Sequence, residues 1–192
     1  MSREEALKIV DELVQSPNIK KHCLAAEAAM RALARELRIK NEELRTKENF
    51  DEEDWGVVGL LHDADYEVTN KDLAKHTEVV SEKIGGKAAQ EVIDAIKGHA
   101  NKAERKTLMA KSIFAADELT GLIVAAALVR PDKKLAGLTA ESVLKRMKEP
   151  AFARAVNRED IKTCETELGV PLPGFVEIVL NSMRGISGEL GL

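Results

Sequence analysis

The sequence predicts an all-α fold, and three observations support this prediction. In nearly every segment apolar residues recur every three or four positions, as they do on one face of an α-helix. Capping residues stand before several of these segments, and glycine or proline follows their ends. No segment shows the sustained alternation of apolar and polar residues that is typical of a half-buried strand.

The first two helices are marked by their N-terminal caps. Ser2 and Glu5 form a capping box, and apolar residues at helical spacing follow it as far as Val14. The pair Ser16-Pro17 then marks the start of a second helix, because proline is tolerated at the first helical position. Apolar residues on one face extend this helix to about Leu37.

A polar stretch over residues 40–49 predicts the first long loop. Asp51 is placed to cap a third helix, with Phe50 and Trp55 as a hydrophobic staple around its start. The inner face of this helix continues to His62, which therefore falls at its C-terminal end.

Two shorter helices that carry histidine are expected next. After a loop over residues 64–73, a short helix is predicted to carry His76 and to end at the glycine pair 85–86. The following helix places Ile96 and His99 on one face, so that His99 ends an apolar stripe.

The remainder of the chain is also predicted to be helical. A long helix over residues 107–129 contains Asp117 and is stopped by Pro131. Residues 131–138 form the best candidate for a linker, and the leucines within it indicate that it packs. Further helices are expected over residues 139–148, 157–168 and 175–190.

Length and composition indicate one soluble globular domain. A chain of 192 residues with 44% hydrophobic and 32% charged residues can bury a sizeable core. The net charge of −4 and an aromatic content of 3% disfavour a DNA- or RNA-binding function. The two isolated cysteines, the absence of a signal peptide and the short longest apolar run lead us to expect a cytoplasmic protein without membrane association.

Four histidines and two aspartates form the most informative pattern in the chain. Neutral imidazoles and carboxylates at separated positions make a mixed nitrogen and oxygen shell that suits divalent metals. The six residues are His22, His62, Asp63, His76, His99 and Asp117.

Each of these residues also has an ordinary structural interpretation. A single histidine on a helix face is more often structural than a metal ligand. Asp117 lies in an apolar stretch, where a carboxylate needs a cation, a hydrogen-bond network or a shifted pKa; an ion pair with Lys111 is the alternative. Four histidines on or beside core faces are better explained together by ligation than separately.

The order of His22, the pair His62-Asp63 and Asp117 resembles the H…HD…D signature of the HD-domain superfamily of metal-dependent phosphohydrolases. His76 and His99 match the variant of that superfamily that holds two metals. The whole chain resembles the small stand-alone predicted hydrolases of the HDIG-type group. The resemblance implies a compact helical HD core at about residues 17–130 and a helical extension over 131–192, within a single domain over 1–192.

The chain departs from several branches of the superfamily. Residues 62–65 read His-Asp-Ala-Asp, where the group's name has His-Asp-Ile-Gly. The Gly-Tyr-Pro motif of the cyclic-di-GMP phosphodiesterases is missing. Tyr66 occupies the position of the glutamate in the HD-x-x-E-D pattern of the hydrolases that degrade guanosine tetraphosphate. Neither signalling activity is therefore supported.

The resemblance also implies roles for the six residues. By this carry-over His22, His62, Asp63 and Asp117 would hold a first metal, and His76 and His99 a second, with Asp63 bridging the two. The metals would be two divalent ions from the set Mn, Fe, Co, Ni, Mg or Zn.

Three further residues are candidates for supporting roles. Asp65 is a candidate for orienting a ligand or accepting a proton in catalysis, although a turn residue is an equally good interpretation. Lys102, three residues after His99, is a candidate for binding a substrate phosphate. Thr120, one helical turn after Asp117, is a candidate for orienting a substrate or a water molecule.

The function these observations favour is hydrolysis of a phosphomonoester or phosphodiester by a metal-activated water. We expect the partner to be a small phosphorylated substrate such as a nucleotide. Two alternatives remain open. The same six ligands resemble those of HD-type di-iron oxygenases, such as inositol oxygenase. A non-catalytic HD-like regulatory module with a vestigial site is the second, and the presence of all six ligands counts against it.

Overall fold

Ten α-helices and no strand occur in the part of the chain that the computed structural model describes, which is residues 1–41, 43 and 47–192. The all-α prediction is thus confirmed. Residues 42 and 44–46 of the predicted loop over 40–49 lie outside the described residues. The helices are α1 Arg3–Leu13, α2 Pro17–Lys40, α3 Glu52–Leu61, α4 Glu78–Ile84, α5 Gln90–His99, α6 Leu108–Leu128, α7 Ala140–Met147, α8 Arg158–Glu167, α9 Leu172–Gly185 and α10 Ser187–Leu190.

The predicted caps begin the first three helices. The Ser2 backbone N–H donates to Glu5 Oε2 over 2.8 Å, and the Glu5 N–H donates back to Ser2 Oγ over 3.3 Å. Asp51 Oδ1 accepts from the backbone N–H of Glu53 over 2.8 Å. Each side chain satisfies a backbone donor that has no partner within its own helix, which explains why the helices begin where the sequence predicts.

Helices α2 and α6 form the centre of the structure. Helix α3 packs against α2, α5 and α8 pack against α6, and α9 packs against both α2 and α7. The predicted linker over 131–138 packs as expected, because Leu135 and Leu138 are buried. No helix in the described ranges combines the length and apolarity needed to cross a membrane.

Two helix predictions are wrong. His76 is not on the short helix, because α4 begins only at Glu78 and the segment before it consists of turns. The predicted helix over 175–190 is two helices, and it begins earlier, at Leu172. Ile186 leaves helical geometry at φ −117° and ψ 21°, between glycines that weaken a helix at this point.

A glycine allows α3 to approach α2 closely. A Cβ atom at Gly59 would lie 2.6 Å from the backbone carbonyl carbon and oxygen of Ala26 and from Cα of Glu27. These are backbone atoms that cannot move without shifting α2. The close approach brings the C-terminal end of α3, with His62, beside His22 on α2.

Gly59→Ala is therefore expected to lower the free energy of unfolding by about 1–3 kcal/mol, the usual effect of overpacking. Gly174→Ala on α9 is the matched control, since a Cβ there meets no atom within 4 Å. It should leave stability unchanged or raise it by up to about 1 kcal/mol. Equal stability of the two variants in urea unfolding would contradict the close approach of α2 and α3.

Candidate metal centre

Different elements bring the six predicted ligands to one place. His22 lies near the start of α2, and His62 is the residue that ends α3, with Asp63 directly after it. His99 is the last residue of α5, and Asp117 lies in the middle of α6. His76 lies in the turns before α4.

One half of the centre is formed by His22, His62 and Asp117. His22 Nε2 lies 2.9 Å from Asp117 Oδ1 and 3.1 Å from His62 Nε2. His62 Nε2 lies 3.4 Å from the same Asp117 oxygen. Asp63 turns its Oδ2 toward this half, at 3.5 Å from His22 Nε2.

The other half is formed by His76 and His99. Their Nε2 atoms are 3.1 Å apart. Asp63 Oδ1 lies 3.2 Å from His76 Nε2 and 3.5 Å from His99 Nε2. The two oxygens of Asp63 thus face different pairs of histidines.

Each histidine ring donates a hydrogen bond from Nδ1, and this bond determines which ring nitrogen remains unprotonated. His62 Nδ1 donates to the Gly59 carbonyl over 2.8 Å, and His99 Nδ1 donates to the Ile96 carbonyl. A carbonyl can only accept, so both rings carry their proton on Nδ1 and leave Nε2 unprotonated when neutral. The same donor and acceptor arrangement occurs twice, at the C-terminal ends of α3 and α5.

The other two rings are held by side chains. His76 Nδ1 lies 2.8 Å from Asp65 Oδ1, to which it donates. The Thr120 hydroxyl donates to the Asp117 carbonyl over 2.8 Å and lies 3.3 Å from His22 Nδ1. Because that hydroxyl proton is already used, the oxygen is free to accept from His22 Nδ1. All four Nε2 atoms therefore face the shared centre.

This arrangement fits divalent metals. Unprotonated nitrogens 3.1 Å apart repel each other unless a cation or a proton lies between them. Two nitrogens at the usual 2.0–2.1 Å from one metal and at right angles are about 3 Å apart. The donor set of imidazole nitrogen and carboxylate oxygen also suits such ions. Two groups meet this description, His22 with His62 and Asp63, and Asp63 with His76 and His99.

The carboxylates keep protons on two of the rings when metal is absent. Burial lowers the pKa of His22, but the hydrogen bond and charge of Asp117 outweigh burial and raise it to about 9. Burial likewise lowers the pKa of His76, whereas Asp63 and Asp65 raise it to about 9. Burial opposes ionisation of Asp63 and Asp117, yet the surrounding histidines hold both pKa values below the usual range.

A cavity of about 470 Å³ opens onto the centre. Besides five of the six predicted ligands (all but His62), its lining includes residues that the sequence did not single out as part of the site. They are Tyr66, Leu73, Ala100, Asn101, Glu118 and Gly121. The Tyr66 ring packs edge-on against His76 with centroids 5.5 Å apart. Glu118 directly follows Asp117, and Gly121 lies one helical turn after it. Their spacing from the predicted ligand Asp117 is the sequence signal that could have identified them as part of the site.

Asp65 and Lys102 lie behind the centre and do not line its cavity. The buried Asp65 carboxylate accepts from His76 Nδ1, from the Thr77 N–H over 2.9 Å and from the Val80 N–H over 3.1 Å. The Lys102 ammonium donates to the carbonyl oxygens of Ala74 and His76. Both side chains hold the segment that carries His76.

The alternative interpretation of Asp117 finds no support in the structure. Its carboxylate contacts His22 and His62, and among the described residues it forms no ion pair with Lys111. The hydrogen-bond network that this partly buried carboxylate needs is supplied by histidines.

Comparison with known protein families matches the HD domain to residues 19–122, which is more than half of the chain. The chain belongs to the HD domain family. The family falls within the HD superfamily of metal-dependent phosphohydrolases. The matched region runs from the start of α2 into α6 and contains all six residues of the centre. Searches of curated proteins and of solved structures give no match.

We expect the apparent affinity of the centre for Mn²⁺ to rise with pH between 6.5 and 9. In the metal-free protein His22 and His76 stay protonated up to about pH 9, so a metal must displace these protons. The affinity should increase about tenfold per pH unit for each proton displaced. Calorimetry in buffers of different ionisation enthalpy measures the Mn²⁺ affinity and the number of protons released on binding. An affinity that does not change with pH, without proton release, would contradict the assignment of His22 and His76 as metal ligands.

Proposed function

We propose that this HD protein is a phosphohydrolase that cleaves a small phosphomonoester or phosphodiester, such as a nucleotide, at a centre of two divalent cations. One observation carries the proposal. Asp63 presents one carboxylate oxygen to His22 and the other to His76 and His99, so a single side chain contacts both halves of the centre. Membership of a family of generally metal-dependent hydrolases supports the same conclusion.

The six ligands divide between the two cations as the resemblance implies. His22, His62 and Asp117 would hold one cation, His76 and His99 the other, and Asp63 both. Cations bound there would activate a water molecule and neutralise charge on the phosphoryl group. The donor set is compatible with Mn, Fe, Co, Ni, Mg or Zn.

The basic side chains of the centre are its four histidines. Among the described residues, no lysine or arginine lines the cavity. The Lys102 ammonium, the nearest candidate in sequence, donates to backbone carbonyls instead. Charge on a substrate phosphate must therefore be balanced at the six-residue centre, which suits a single phosphoryl group.

We assign positioning roles to Asp65 and Thr120. Asp65 fixes the ring of His76 and the start of α4, and its buried carboxylate does not line the cavity. This placement favours orienting a ligand over accepting a proton. Thr120 is fully buried and orients His22 through Nδ1, so it acts on the substrate only through that ring.

The test combines metal analysis with phosphate release. Purified wild-type protein should contain about two divalent ions per chain. It should release phosphate from nucleoside monophosphates or cleave bis(p-nitrophenyl) phosphate. Asp63→Asn preserves shape but removes the shared charge, so it should lose metal from both halves and lose activity on the order of a hundredfold or more.

Asp94→Asn, an exposed change on α5, is the matched control and should retain metal and activity. Full turnover by Asp63→Asn would contradict the proposal. Iron-dependent oxygen uptake without phosphate release would favour the oxygenase. Metal-free wild-type protein, with stability unaffected by replacement of the six ligands, would favour the non-catalytic module.

A further inference from the structure

A second cavity of about 350 Å³ lies beside the metal centre. His22 and Gly121 line both cavities, so the two spaces are adjacent at these residues. The remaining walls of this second space, the side cavity, come from α2, α6 and the segment around α10. They are formed by Asn18, Lys21, Val124, Leu128, Leu190 and Leu192.

One face of α6 connects the metal centre to the side cavity. Asp117, Gly121, Val124 and Leu128 follow one another at intervals of four, three and four residues, so they lie in a row along the helix. With a rise of 1.5 Å per residue, the row is about 16 Å long. A molecule held at Asp117 can therefore extend along this face into the side cavity.

Gly121 lies at the boundary between the two spaces. A Cβ atom there would meet no other atom within 4 Å, so close packing does not explain this glycine. Glycine inside a helix is unfavourable compared with alanine. Because Gly121 lines both cavities, a side chain there would project into the space at their boundary, and glycine leaves that space free.

The walls of the side cavity define the chemistry of what fits. Val124, Leu128 and Leu190 provide an apolar surface, and no aspartate or glutamate side chain lines the cavity in the described part of the chain. Lys21 forms no ion pair with any described residue, so its ammonium remains available. The cavity thus suits an apolar group that is neutral or anionic, and it disfavours a cationic one. Its volume is within the range of small-molecule sites.

We propose that the side cavity binds the organic part of a phosphate ester whose phosphoryl group lies at the metal centre. This inference rests on the proposed function and narrows its substrate class. The substrate carries one phosphoryl group and an uncharged or anionic, largely apolar organic group. The segment around α10 thereby contributes to substrate specificity, through Leu190 and Leu192.

Binding of phosphonates, which resist hydrolysis, tests this inference without relying on turnover. Calorimetry with the Mn²⁺-loaded protein compares methylphosphonate, benzylphosphonate and 2-aminoethylphosphonate. Benzylphosphonate should bind about tenfold tighter than methylphosphonate, because its ring removes apolar surface from water. The cationic 2-aminoethylphosphonate should bind no tighter than methylphosphonate.

Two neighbouring residues provide a matched pair of variants. Leu128 is 49% exposed and lines the cavity, whereas Val129 is 57% exposed and does not. Leu128→Asn should reduce the advantage of benzylphosphonate to about twofold or less and leave methylphosphonate binding unchanged. Val129→Asn should still bind benzylphosphonate about tenfold tighter than methylphosphonate. Val124→Thr, in which the new side chain has a similar shape, should also reduce the preference for benzylphosphonate over methylphosphonate.

The outcomes separate this inference from the proposed function. If methylphosphonate binds but benzylphosphonate binds no tighter, or if Leu128→Asn leaves the difference intact, the side cavity is not the subsite while the phosphohydrolase remains. If no phosphonate binds and no phosphate is released from any ester, the proposed function fails, and this inference fails with it.

Discussion

Hydrogen bonds donated by the Nδ1 atoms of four histidines orient the candidate metal centre of this protein. Each bond fixes the ring's orientation and places the proton on the nitrogen that faces away from the centre. For His62 and His99 the acceptor is a carbonyl three residues earlier, at the end of a helix where such carbonyls lack partners. The free Nε2 atoms then face two carboxylates in a largely buried site. Only a cation or protons can hold that arrangement together.

The fold supplies each half of the centre by a different means. Helices position the first half, which contains His22 and His62. Gly59 lets α3 contact the backbone of α2, and this contact places His62 beside His22. The second half depends on a segment of turns. Asp65 and Lys102 hold that segment from behind, and Thr77, with φ 71°, adopts a left-handed conformation directly after His76. A strained backbone beside the predicted ligand His76 persists because the surrounding hydrogen bonds determine its position.

Much of this architecture was predictable because its signals are local. Capping residues such as Ser2 and Asp51 act within one helical turn, and the helices begin where they stand. The position of His76 was not predictable in the same way, since the start of α4 depends on Asp65, fifteen residues before Val80. The contact of Lys102 with the turns before α4 is equally non-local. The side cavity depends on α10 meeting α2, a contact between the two ends of the chain that spacing cannot reveal.

The proposed function requires that Asp63 is shared between two bound cations. Anomalous scattering from crystals of the wild-type protein grown with Mn²⁺ tests it most directly. If Asp63 is shared, two peaks should appear roughly 3.5–4 Å apart, one on either side of its carboxylate. The first peak would lie beside His22 and the second beside His76. A single peak, or peaks that do not contact Asp63, would contradict it.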